Sequence, residues 1–164
     1  MRRLVWLSGA PAGDAEELCK LLAAPVPVIR LAELAGAAGA PERFRESMER
    51  RLRQLAAEPG DALVLGGLCR SEGNGFVPLV SAELARLLKP ERIVLLEFFF
   101  TPAAQRELRG ELEIVRRDKG QVAELRAIRE QQELVRAYAL ALCAASGARL
   151  ERVAVDRAKV KAGL

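Results

Sequence analysis

The run Arg92-Ile93-Val94-Leu95-Leu96-Glu97-Phe98 decides the fold class of this chain. A strand with one face in water alternates apolar and polar side chains. A nearly continuous apolar run marks a strand covered on both faces, as parallel sheets require. Outward from this run, short β-type stretches alternate with longer helical ones. Further strands are expected at residues 3–8, 26–30, 62–68 and 150–155, and helices at 14–23, 41–57, 78–88, 101–109 and about 121–146. Thr101-Pro102 puts proline at a first helical position, and Gly147 supplies the glycine that ends the long helix. Strands alternating with helices build βαβ units. The expected architecture is therefore α/β, a three-layer sandwich around a five-stranded parallel sheet, in one domain over residues 1–164. Residues 31–40, rich in alanine and glycine, read as a loose helix and loop, and the glycine-dense segment 66–75 as a site loop or its remnant.

Composition narrows the chemistry. The chain has 164 residues, 26 basic and 22 acidic, no histidine and three cysteines; 51% are hydrophobic and 29% charged. That length gives one domain a sizeable core. Without histidine there is no Ser-His-Asp or Cys-His mechanism, and no zinc pattern that needs imidazole. Cys19, Cys69 and Cys143 are widely spaced, odd in number and never C-x-x-C. They read as small buried apolar residues of a reducing compartment. No apolar run approaches the ~18 residues of a membrane span, and the stretch behind Arg2 and Arg3 ends at Leu7, too short for a signal peptide. A soluble, cytoplasmic protein is expected, with no membrane partner. Of the basic residues, 21 are Arg and five Lys, and Asn74 is the sole asparagine, a composition that fits a heat-adapted source or a GC-rich genome. Residues 1–100 hold 13 basic and 13 acidic groups, and residues 101–164 hold 13 and nine, so the whole +4 lies in the second part.

The turn after the first strand is the usual anion seat of an α/β sheet. Here it reads Ser8-Gly9-Ala10-Pro11-Ala12-Gly13-Asp14-Ala15-Glu16-Glu17. Set against the phosphate loop G-x-x-x-x-G-K-[ST], counted from Gly9, the second glycine falls on Asp14, the lysine on Ala15 and the hydroxyl on Glu16. The lysine neutralises phosphate and the hydroxyl holds Mg²⁺, so Ala15 and Glu16 remove one positive charge and add a negative one. Asp14 and Glu17 stand at D-x-x-E spacing, close to a capping box. The helix's own carboxylates then occupy the positive end that a nucleotide phosphate would fill. A plain capped helix that never bound a nucleotide fits the same residues.

In the order of its segments the chain resembles the archaeal-type adenylate kinases, over nearly its whole length and with eroded motifs. Ser8-Gly9-Ala10-Pro11 is similar to the start of that family's T-G-V-P-G-x-G-K-[ST] loop, and Gly75-Phe76-Val77-Pro78-Leu79 to its G-[YF]-x-x-G-L. Lys89-Pro90-Glu91-Arg92-Ile93-Val94-Leu95-Leu96-Glu97 resembles N-P-D-x-I-[IV]-x-[IV]-E, and Val115-Arg116-Arg117-Asp118 the lid motif R-x-R-D. Gln131-Gln132-Glu133-Leu134-Val135-Arg136 matches H-Q-x-x-N-R at Gln132 and Arg136, and Ser146-Gly147-Ala148 resembles the T-G-A before the last strand. The resemblance implies a P-loop kinase-like fold with a small lid at about residues 101–120. It also implies a remnant nucleotide site at Gly9, Pro11, Gly13, Arg116, Arg117, Gln132 and Arg136. The departures fall where phosphoryl transfer occurs: Ala15, Glu16, and no strand aspartate near Leu65. Positioning and charge neutralisation are nearly all that such an enzyme contributes, so the losses imply a pseudoenzyme with no catalytic residues, no metal and no cofactor. Arg116, Arg117, Arg126, Arg129 and Arg136 equally suit a solvated face with Glu124, Glu130 and Glu133.

Three functions follow as expectations. The first is a binding or structural protein on RNA or a ribonucleoprotein such as the ribosome, motivated by Arg149, Arg152, Arg157, Lys159 and Lys161 against Glu151 and Asp156. Arginine forks suit phosphate, and the few aromatics imply contacts to backbone and shape. DNA is not expected. Relatives of the kinase family include a small-subunit assembly factor, which makes the ribosome an analogy-based expectation. The second is a divergent nucleoside monophosphate kinase using ATP and Mg²⁺; its nearest lysine, Lys20, lies roughly 7–8 Å along the helix beyond position 15. The third is a homo-oligomer or the regulatory partner of an active kinase, joined through residues 137–145, which suit a core equally well.

Ala15→Lys combined with Glu16→Thr is expected to restore ATP binding in a calorimetric titration if those two substitutions alone emptied the site. A double variant that binds no ATP would put the closure at Asp14 or the missing aspartate, or set the kinase analogy aside.

Overall fold

The computed structural model describes residues 3–8, 27–31, 33–34, 41–72, 75–98 and 119–155. Along these run β1 (Leu4–Ser8), β2 (Val28–Arg30), α1 (Pro41–Ala57), β3 (Ala62–Leu65), β4 (Cys69–Glu72), β5 (Gly75–Pro78), α2 (Ala82–Leu88), β6 (Arg92–Phe98), α3 (Lys119–Ser146) and β7 (Arg149–Val155). Five strands form one sheet in the order β2-β3-β1-β6-β7. Every pairing in it is parallel.

Side-chain alternation along β6 explains its apolar run. Ile93 and Leu95 join Leu4, Trp6 and Val64 under α1, α2 and α3, where Met48, Leu52, Leu55, Leu84, Leu88, Ala139 and Leu142 complete the core. Met48, Leu52 and Leu55 follow the i, i+4, i+7 spacing of one helix face. Val94 and Leu96 point the other way and are buried with Leu7, Leu63 and Leu65. A sheet buried on both faces is compatible with a three-layer sandwich.

With the β4–β5 hairpin set aside, the strand order by chain position is 2-3-1-4-5. It differs from both the dinucleotide order 3-2-1-4-5-6 and the flavodoxin order 2-1-3-4-5, yet it obeys the same rule. The chain leaving β1 goes to one side of the sheet, to β2, and the chain leaving β6 goes to the other, to β7. The crevice at the carboxyl ends of β1 and β6 is therefore the topological switch point, where ligands of such sheets bind.

Several expected boundaries shift. Within segment 66–75 the chain pairs as a hairpin, with β4 antiparallel to β5 and Glu72 level with Gly75. The helix expected from residue 78 begins at Ala82, because Pro78 ends β5 and Ser81 caps the helix, its hydroxyl accepting the Leu84 N–H at 3.1 Å. The strand expected over 62–68 ends at Leu65, where Gly66 turns away. Gly147 takes φ +80° and donates its N–H to the Cys143 carbonyl at 2.8 Å, the left-handed closure expected of it. Helices 14–23 and 101–109, lid residues 101–118 and most of 31–40 lie outside the described residues.

Gly66 is fixed by contact. It donates its N–H to Leu7 at 3.1 Å, and its carbonyl accepts the Trp6 indole at 2.9 Å. A Cβ there would stand 2.6 Å from Leu31 Cδ1 and 2.8 Å from Leu31 Cβ. Gly66→Ala is expected to destabilise the protein by roughly 1–3 kcal/mol through overpacking, read as a lower urea midpoint with an unchanged slope.

Candidate functional site: two arginines on one buried carboxylate

Glu97 is the only acid in the β6 run, near its carboxyl end. It shares the face of Ile93 and Leu95, two residues beyond Leu95, and Leu95 is level with Ser8 of β1. Only 8% of the residue is exposed, and burying a carboxylate is costly unless it is paired and hydrogen-bonded. Two arginines meet it there. Arg136 of α3 donates Nε to Oε1 at 2.9 Å and Nη2 to Oε2 at 3.0 Å, a fork-to-fork pair. Arg152 of β7 donates Nε to Oε2 at 2.8 Å, with its Nη2 also 2.8 Å from that oxygen.

Local structure dictates this convergence. Gln132, Val135, Arg136, Ala139, Leu142 and Cys143 fall on the half-buried to buried stripe of α3, so Arg136 faces the sheet. As the crossover between two parallel strands, α3 runs antiparallel to them and ends near their amino edge. Counting back ten residues from Ser146 to Arg136 covers roughly 15 Å. The five residues from Arg92 to Glu97 cover about the same distance. Arg152 lies level with Leu95 on the neighbouring strand, on the face that Leu150 also presents to the core. The Glu97 carboxylate raises the pKa of the Arg136 guanidinium still further, chiefly through their hydrogen bonds.

Two positive groups against one negative leave the triad at +1. The neighbouring acids have partners of their own: Glu133 takes Arg129 at 3.0 Å, and Glu151 takes Arg92 at 3.4 Å on the other face of the sheet. The two guanidiniums can bind and orient an anion, while both oxygens of the Glu97 carboxylate are taken up by them.

Of the residues expected to form a site, Gly9, Pro11, Gly13, Arg116, Arg117, Arg157, Lys159 and Lys161 lie outside the described residues. Gln132 is half-buried on α3, one turn before Arg136. Arg149, 77% exposed, sits at the amino end of β7, 3.9 Å from Glu91. It faces away from Arg152, so these two do not form one patch. Arg136 and Arg152, expected at different sites, come together, while Arg129 with Glu133 does form a solvated pair. Glu97 itself was missed; the signal was a lone acid inside an apolar strand, which demands a partner. In the stretch 137–145, Ala139, Leu142 and Cys143 belong to the core, while Leu140 is exposed.

The two described thiols are inert. Burial pushes Cys69 up to about 11 and also raises Cys143, so both stay protonated at neutral pH. Among the described residues no group of three or more Cys, Asp or Glu side chains could hold a metal ion, and no helix is long and apolar enough to cross a membrane. Neither a protein-family model nor a curated protein matches this chain.

The triad is asymmetric, which generates a prediction. Arg136, 34% exposed, grips both oxygens, while Arg152, 51% exposed, grips one. Arg136→Met is expected to cost roughly 1–3 kcal/mol, since it leaves the carboxylate under-satisfied. Arg152→Met should cost less than about 1 kcal/mol, in line with a solvent-screened pair. Urea unfolding of both variants checks the order.

Proposed function

We propose that this chain is a catalytically inactive protein of adenylate-kinase-like architecture, acting in the cytoplasm as a binding or structural component on RNA or a ribonucleoprotein such as the ribosome. The observation that carries this reading is the state of Arg136. The family resemblance assigns it to nucleotide phosphate, but its fork is closed on Glu97. In the sequence, Ala15, Glu16 and the absent strand aspartate weaken the same chemistry. The arginine-rich balance of the chain supports phosphate as the recognised group. The scarcity of aromatics favours contacts to the RNA backbone. A divergent kinase that transfers phosphate from ATP to AMP is the competing reading. It draws support from the switch point beside Ser8, the place such a sheet would seat a ligand.

Native protein from gently lysed source cells, sedimented at low and high salt, tests the proposal. Comigration with ribosomal subunits that weakens as salt rises is the expected result, because phosphate contacts release counterions. A peak among small proteins at both salts would overturn it.

A further inference from the structure

We infer that Arg136 and Arg152, held by Glu97, form a phosphate seat at the carboxyl edge of β6 and β7. This deepens the reading of phosphate recognition given above by naming its site. Each guanidinium carries five N–H groups in a fixed fork. Each contacts Glu97 through its Nε and Nη2 edge. Among the described residues, Nη1 of neither arginine has a partner. The Arg136 and Arg152 side chains are 34% and 51% exposed. Glu97 is 10% exposed at its side chain. The buried member of the triad is therefore the anchor, and the solvent-facing members are both cationic.

Three physical consequences favour an anion there. The triad keeps a charge of +1, and the nearest acids on α3 and β7 are engaged by Arg129 and Arg92. The rotamer freedom of both arginines is already restricted by Glu97, so a ligand meets donors that are held in place. The position is the carboxyl edge beside the switch point, where open α/β sheets bind their ligands. A phosphate group, with several acceptor oxygens, can take N–H donors that Glu97 leaves over on both arginines at once. Free phosphate, a nucleotide or the RNA backbone could each supply it. Glu97 is a positioning residue, acting through the two arginines.

The test follows the arginine Nε–Hε signals of the whole chain by NMR, first with inorganic phosphate and then with a short single-stranded RNA. Saturable shifts of Arg136 and Arg152 are expected. Arg152→Gln should weaken phosphate binding roughly tenfold or more, as loss of a hydrogen bond between charged groups implies. Arg152→Lys should fall between, since it keeps the charge without the fork, and thermal melts of both variants show that they remain folded. For RNA, Arg152→Gln should also lower the slope of log affinity against log salt by about one. RNA bound equally by wild type and Arg152→Gln, with both signals unmoved, overturns the seat and leaves the RNA reading standing. Phosphate bound at the two arginines with no RNA binding upholds the seat and overturns the RNA reading. Binding of neither overturns both.

Discussion

A strand buried on both faces can keep a charge only near its end, and there only with partners. β6 is that strand: Ile93, Val94, Leu95 and Leu96 are all buried, on alternate faces. Glu97 follows directly. Its hydrogen bonds tie α3 and β7 to the carboxyl edge of the sheet through Arg136 and Arg152. At the amino edge, Arg3 of the segment before β1 donates its backbone N–H and Nε to Asp61 at 2.7 and 3.0 Å. That pair is exposed and adds little. The Glu97 contacts, on a carboxylate 10% exposed at its side chain, lie at the end where the topology leaves its crevice.

The fold was legible in the sequence wherever periodicity was undisturbed. Arg92–Phe98 and Pro41–Ala57 appear with the expected bounds, because a two-sided apolar run and a 3.6-residue stripe each have one solution. The hairpin was not legible in the same way. Glycine density around 66–75 masked a two-residue turn between short β-type runs, and Pro78 reads as a helix start until Ser81 is recognised as the cap. The site was half legible. Arg136 and Arg152 were both singled out, but on unrelated grounds. Their shared partner lies 39 and 55 residues away in the chain, and pairing at that distance is set by strand order, which local pattern does not encode.

Net charge is a poor guide to how the charged groups of this molecule are arranged. The surplus of positive charge lies in residues 101–164, yet Arg129 there is matched by Glu133, and Arg92 on the neighbouring strand by Glu151. Such pairs are solvated ornaments of the surface with little energetic weight. What differs at Glu97 is stoichiometry and depth. One carboxylate too buried to draw water is matched by two guanidiniums exposed enough to meet a ligand.

That arrangement also separates binding from catalysis on physical grounds. An enzyme of phosphoryl transfer places its cations where charge develops during the reaction, and must leave them able to follow the moving group. An arginine locked by both oxygens of a buried acid is suited to the opposite task. Its orientation is fixed before any ligand arrives, and each donor given to Glu97 is withdrawn from a substrate. The cost is a weaker grip per arginine, because the carboxylate offsets half of the pair's charge. The gain is a donor set that does not have to be ordered on binding. A protein that holds a static phosphate backbone benefits from that exchange, whereas one that turns over ATP loses the adjustable charge on which its rate depends.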